Sequence, residues 1–160
     1  MSLLPPTLGV EHRVEVAVDA RPSWLFDQLC DPSAVVACVP GAALTRVLDS
    51  QRFEANVSVG IGPLMVTCAG HGVLLASRSR RRIWLSLQGS DATAASHARA
   101  HLLATVGECA EGSMIQARWN LLVAGHTARF NRRFVSLVTW QLMEQTANRM
   151  RSRFGGQPVR

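Results

Sequence analysis

Along the chain the first regular signal is a period of two. In "HRVEVAV", Val14, Val16 and Val18 alternate with Arg13, Glu15 and Ala17, which predicts a half-buried strand over His12–Val18. Pro22, just after Asp19–Arg21, suits the first turn of a helix, and Trp24, Leu25 and Leu29 at helical spacing predict a short one ending near Cys30. Asp31-Pro32 opens a second helical turn, with Asp31 as N-cap, and Pro40-Gly41 closes it. Alternating segments follow at about 43–47, 52–59, 64–76, 82–87, 97–106 and 114–123, each ending in a turn rich in Gly, Ser, Asp or Pro. Such short connections predict an antiparallel meander. From about Ala128 to Arg153 there is no Gly or Pro, which predicts about 39 Å of helix. On it Phe134, Val138, Leu142, Thr146 and Met150 recur every four residues, with Val135 beside them, as a face lying on a sheet.

This succession predicts one α+β domain of helix-grip type over residues 12–154, a curved seven-stranded antiparallel sheet around a long C-terminal helix. Residues 1–11 read as a flexible lead-in and 155–160 as a flexible tail.

Composition narrows the class. With 48% hydrophobic and 18% charged residues, a disordered or coiled-coil chain is excluded. No apolar run approaches the roughly 18 residues that span a bilayer. "MSLLPPTLGV" lacks the basic and apolar regions of an export signal, so a cytoplasmic location is expected. Cys30, Cys38, Cys68 and Cys109 form no C-x-x-C pair and read as reduced, packed thiols. The net charge of +6 is carried by Arg without any Lys. A positive surface favours encounters with anionic membranes, acidic proteins or nucleic acid, but no aromatic stacking platform supports nucleic-acid binding.

Two inward rows are unusually small: Ala98, Ala100, Leu102, Ala104 and Val106, and Val66, Cys68, Gly70, Gly72 and Leu74. Under a long helix such rows mean either close packing or an unfilled volume. An apolar volume with few ionisable groups suits a hydrophobic guest rather than acid-base chemistry. Its candidate lining is Phe53, Val57, Val66, Cys68, Leu85, Leu87, Leu102, Trp119, Leu121, Phe134, Val138 and Leu142, with plain core as the alternative for most of them. Trp119 either fills the void or stacks on a ring-shaped guest.

Arg78, Arg80, Arg81 and Arg82 of "RSRRR" read either as a solvated turn or as a contact for acidic headgroups or a partner. A second stripe on the last helix, Trp140, Met143, Ala147 and Phe154, points to a partner, a second copy of the chain or a membrane surface. His97, Arg99 and His101 share the outward row; an Arg between two His repels a cation, so no metal site is expected. Cys38 ends a helical turn, where the helix dipole disfavours a thiolate, and reads as a packing residue. No Gly-x-Ser-x-Gly elbow or other catalytic set appears.

Three stretches, "DPSAVVACVPGAAL", "FEANVSVGIGPL" and "AGHTARFNRRFVSLVTWQLMEQTANRM", resemble the CoxG proteins of carbon monoxide dehydrogenase systems, which belong to the START-like (SRPBCC), birch-allergen-like superfamily, over about residues 11–154. Family members often carry Gly-Gly before the last helix and a Phe pair after its Glu-Gln, where this chain has "VAGHTA" and "EQTA". The resemblance implies an accessory protein for molybdenum-containing CO dehydrogenases and related hydroxylases, attaching them to the membrane or supplying a membrane quinone. It implies no chemistry by the accessory protein itself, no cofactor of its own beyond a bound quinone or lipid, and peripheral contact at the inner membrane. The alternatives are a START-like polyketide cyclase or isomerase, which needs ionisable side chains pointing inward, and a protein-docking component without a ligand.

Overall fold

The computed structural model describes residues 7–61, 64–91, 96–125 and 132–156. In chain order it contains β1 (Thr7–Val18), α1 (Pro22–Leu29), α2 (Pro32–Val36), β2 (Ala42–Val47), β3 (Arg52–Ile61), β4 (Leu64–Ser77), β5 (Arg82–Asp91), β6 (Ser96–Cys109), β7 (Gly112–Gly125) and α3 (Arg132–Phe154). The strands form one antiparallel sheet in the order β1-β7-β6-β5-β4-β3-β2. Every hairpin in sequence is thus a pair in space, and α1 with α2 carries the chain from one edge to the other. α3 lies against the concave face, chiefly over β1.

β1 starts at Thr7 rather than His12, because Leu8 and Val10 continue the inward even-numbered row. They pair with Val123 and Leu121 of β7 and are buried. The expected start of the last helix near Ala128 lies outside the described residues.

Local chemistry accounts for the turn after α2. Asp31 caps α2 by accepting from the Ser33 amide at 3.0 Å. Cys38 is buried and its thiol donates to the Ala34 carbonyl at 3.4 Å. Gly41 then takes φ 77°, and a side chain there would sit 2.2 Å from the Ser58 carbonyl oxygen, so only glycine admits the chain into β2. The Cys-Val-Pro-Gly element is a packed thiol followed by a turn.

One end of the concave face is solid. There Leu25, Phe26, Leu29, Ala34 and Cys38 from the helical pair interlock with Val16, Val18, Leu74, Ile83, Ala104, Val106 and Ile115 of the sheet, and with Ala147 and Phe154 of α3. The Trp24 and Phe154 rings meet edge to face at 6.2 Å. At the other end, among the described residues, Leu8, Val10 and Val135 form a small separate cluster.

Candidate ligand-binding hollow

The sheet register explains the difference between the two ends. Across the inner face one row runs Ala55, Gly70, Gly89, Ala98, Val123, and the next runs Phe53, Gly72, Leu87, Ala100, Leu121. Two glycines and two alanines meet in the first row, so a stretch of the wall is little more than backbone. In the second row the Phe53 ring fills the space over Gly72, where a methyl group would meet it at 2.4 Å. Phe53 therefore forms the floor, and beyond it lies a hollow of about 280 Å³. Val57, Val59, Val66, Cys68, Trp119 and Leu121 line its sheet side, Val39 reaches in from the turn after α2, and Val135, Val138, Thr139 and Leu142 close it from α3.

Of the candidate lining residues, the structure brings nine to this hollow: Phe53, Val57, Val66, Cys68, Leu87, Trp119, Leu121, Val138 and Leu142. Leu85 and Leu102 instead pack against the solid core, one row nearer α1. Phe134 is 37% exposed and is not among the residues lining the hollow. A helix advances about 100° per residue, so each step of four turns a further 40° or so, and a row of every fourth residue drifts off the buried face. The buried positions of α3 are Val135, Thr139, Ala147 and Phe154.

That drift also corrects the second stripe. Ala147 and Phe154 are core. Met143 is partly buried and its sulfur receives the Trp119 indole N–H, so it is no surface residue. Trp140 alone of the four is exposed, at 42%, with its ring beside His12. Nor do the arginines make one patch with it. Arg78 pairs with Asp27 and lies over the Phe26 ring at 5.5 Å, which ties the hairpin to α1. The Arg81 carbonyl accepts from the Val106 amide. Arg80 is exposed, and Arg82 already belongs to β5.

Two ionisable side chains missed by the sequence reading approach the hollow. His12 shares the even-numbered row of Val14 and Val16, and that parity was the available signal. The buried Thr139 hydroxyl donates to the Val135 carbonyl at 2.9 Å, so its oxygen accepts from His12 Nε2 at 3.0 Å. The His12 ring also packs on Trp119 at 5.6 Å and Trp140 at 5.9 Å. Thr139 is therefore a polar mark on the helix side of a largely greasy wall, held in place from behind by His12, with the buried Ser96 a second on the sheet side. Asp91 shares the parity of Leu85 and Leu87 and is buried at the rim. It accepts from the Thr67 amide at 3.0 Å, where the β4–β5 ladder has ended.

Burial raises the thiol pKa of Cys30, Cys38 and Cys68, with the Asp91 charge adding to the effect at Cys68. Thiolate is then scarce at neutral pH. Alkylation of Cys38 by iodoacetamide at pH 7.5 should run at least about tenfold slower than that of a free thiol peptide, followed by mass spectrometry; an equal rate would contradict the packed role. His97, Arg99 and His101 are exposed on the outer face, where His101 bonds Ser86 at 3.1 Å. Among the described residues no three His, Cys, Asp or Glu side chains come together as a metal site. Among them, too, no helix is long and apolar enough to cross a membrane.

A curved antiparallel sheet gripping one long helix, with a ligand-sized hollow between them, defines a START-like helix-grip protein. Solved structures bear out the fold. A conserved protein from Geobacillus kaustophilus superposes with TM-score 0.72 at 14% identity, over 92% of this chain and 93% of that one. A START superfamily protein from Mycobacterium smegmatis gives 0.58 at 17% identity, over 92% and 97%. The ZhuI aromatase/cyclase from Streptomyces sp. R1128 gives 0.58 at 14%, over 92% and 93%. No curated protein matches the sequence. Residues 15–155 match the CoxG family of carbon monoxide dehydrogenase subunits, and the chain belongs to that family.

Proposed function

We propose that this protein is a noncatalytic carrier that holds the ring of a membrane quinone in its hollow and serves a molybdenum-containing CO dehydrogenase or a related hydroxylase. The observation that carries the reading is the nearly all-apolar hollow behind a glycine-alanine wall. Its volume, about 280 Å³, lies just under the roughly 300–1,000 Å³ of pockets for drug-sized ligands. It suits a ring headgroup whose tail leaves through the mouth. Trp119 offers a flat face, and the Thr139 hydroxyl can turn from the Val135 carbonyl to donate to a ring oxygen while His12 keeps its own bond. Acid-base catalysis has less support, since His12 and Asp91 lie in separate rows and each is already engaged.

Native mass spectrometry of protein purified from its own host, without detergent, tests the reading. A copurifying prenylquinone supports it, and protein that is empty or carries only fatty acid overturns it. The anchor has its own test in tryptophan quenching by menadione and binding competition by 2-methylnaphthalene, which lacks the oxygens. The wild type should prefer menadione by about three- to tenfold, the worth of one neutral hydrogen bond. Thr139→Val should abolish that preference while leaving 2-methylnaphthalene binding unchanged. An undiminished preference removes Thr139 from the site.

A further inference from the structure

The outer face of the four central strands β4 to β7 has an unusual charge pattern. Its outward side chains include Arg82, Arg99 and Arg118 with His71, His97 and His101, and no Asp or Glu from residue 65 to 77, 82 to 90, 97 to 107 or 114 to 124. On β5 and β6 the acidic residues, Asp91 and Glu108, share the parity of the inner rows, and outward carboxylates stand on the flanking strands, as Glu54 on β3 and Glu11 and Glu15 on β1. Apolar side chains sit among the cations. Leu75, Trp84 and Leu103 form one cross-strand row that ends on Arg118, and Leu122 stands opposite Arg99. Leu75, Trp84 and Leu122 are each at least 39% exposed. With its amide oxygen turned toward β6, Gln88 accepts from Arg99 at 3.0 and 3.2 Å and donates to His71 at 3.3 Å, so Arg99 is held across the face by a neutral partner.

We infer that this convex face is the docking surface for an acidic face of a partner protein. Exposed Trp and Arg with carboxylates depleted is the composition of protein interfaces, and Trp and Arg are the residues that anchor them. A second copy of the chain is a poor occupant, because apposing the face with itself would bring like charges together. A bilayer is also a poor occupant. The short row of Leu75, Trp84 and Leu103 is bordered by the row of Ser86, His101 and Asn120, whose hydrogen-bonding groups would have to enter it with them. Four strands about 4.8 Å apart, each with about ten residues rising about 3.3 Å, present roughly 600 Å². That falls short of the about 800 Å² per partner of a standard stable complex, so the docking is transient and steered by charge. The face also backs the bare row of Gly70, Gly89 and Ala98, so a docked partner lies one backbone thickness from whatever fills the hollow. That last consequence rests on the carrier reading; the docking surface itself does not.

Two variants of equal net charge test it. One is Arg82→Gln/Arg99→Gln/Arg118→Gln on the face, and the other is Arg149→Gln/Arg151→Gln/Arg153→Gln at the end of α3. Against immobilised poly-glutamate at about 50 mM salt, the face variant should lose at least about tenfold in affinity and the helix variant less than about twofold. Equal losses overturn the inference, since net charge would then explain binding. Binding of the face variant to phosphatidylglycerol vesicles should fall no more than that of the helix variant; a face-specific loss on vesicles alone reassigns the surface to lipid and overturns it too. Should the triple variant fail to fold, Arg99→Gln and Arg118→Gln separately carry the test, each expected to cost about threefold, against Arg151→Gln as control. Trp84→Ser should weaken poly-glutamate binding no less than either single variant. Menadione binding should be unchanged in every folded variant, which separates failure of the docking surface from failure of the carrier reading.

Discussion

Ala100→Phe should abolish guest binding without destabilising the protein. Ala100 lines the hollow between Leu87 and Leu121, with the Phe53 floor two strands away from Leu87. A benzyl group there enters unfilled volume rather than packed side chains. Menadione affinity should fall at least about 100-fold, a loss of about 3 kcal/mol. Thermal stability should hold or rise, as cavity-filling changes commonly add about 0.5–2 kcal/mol. In a solid core the same change would overpack and cost about 1–3 kcal/mol. A thermal melt and a quenching titration on one preparation thus distinguish the two. A lower melting temperature with intact binding would refute the hollow.

Gly70→Ala should be among the most damaging single-methyl changes in the molecule. A Cβ at Gly70 would lie 2.0 Å from the Gln88 carbonyl oxygen and 2.7 Å from the Gly89 Cα, all backbone of the paired strand. No rotamer can retreat from that contact, so β4 and β5 must separate where they form the thin wall. We expect a loss of about 3 kcal/mol or more, at the upper end of overpacking costs, read as a shift in urea midpoint. Gly107→Ala is the control. Nothing lies within 4 Å of its Cβ position, and the change should be neutral or stabilising by up to about 1 kcal/mol. Similar midpoints for the two variants would show that the wall is not built on this glycine.

Both expectations concern positions that the sequence marked only as small. Alternation placed Gly70, Gly72, Ala98, Ala100 and Ala104 together on the inner face, and the structure keeps them there. Their fates then diverge. Ala104 is packed into the solid core, Gly72 is filled by a ring from β3, and Gly70 and Ala98 are left bare. In α3 the same limit appears as phase. A four-residue repeat named Phe134 and Leu142 alike, yet only Leu142 reaches the hollow, because the helix turns its faces relative to the sheet along its length.

What the sequence determined by itself was everything set within a few residues: the alternating strands, the Asp31 cap, the Pro-Gly turn, the unbroken last helix and the smallness of two inner rows. These depend on propensity, capping and periodicity, which act over one or two turns of chain. Tertiary structure alone decided which small positions face empty space, and that His12 meets Thr139 across 127 residues of sequence. It also decided that the acid-free outward rows of β4 to β7 stand side by side as one cationic face. The reason is that filling a volume, pairing a buried hydroxyl or assembling a surface charge depends on side chains from separate elements, and no local pattern carries their distances.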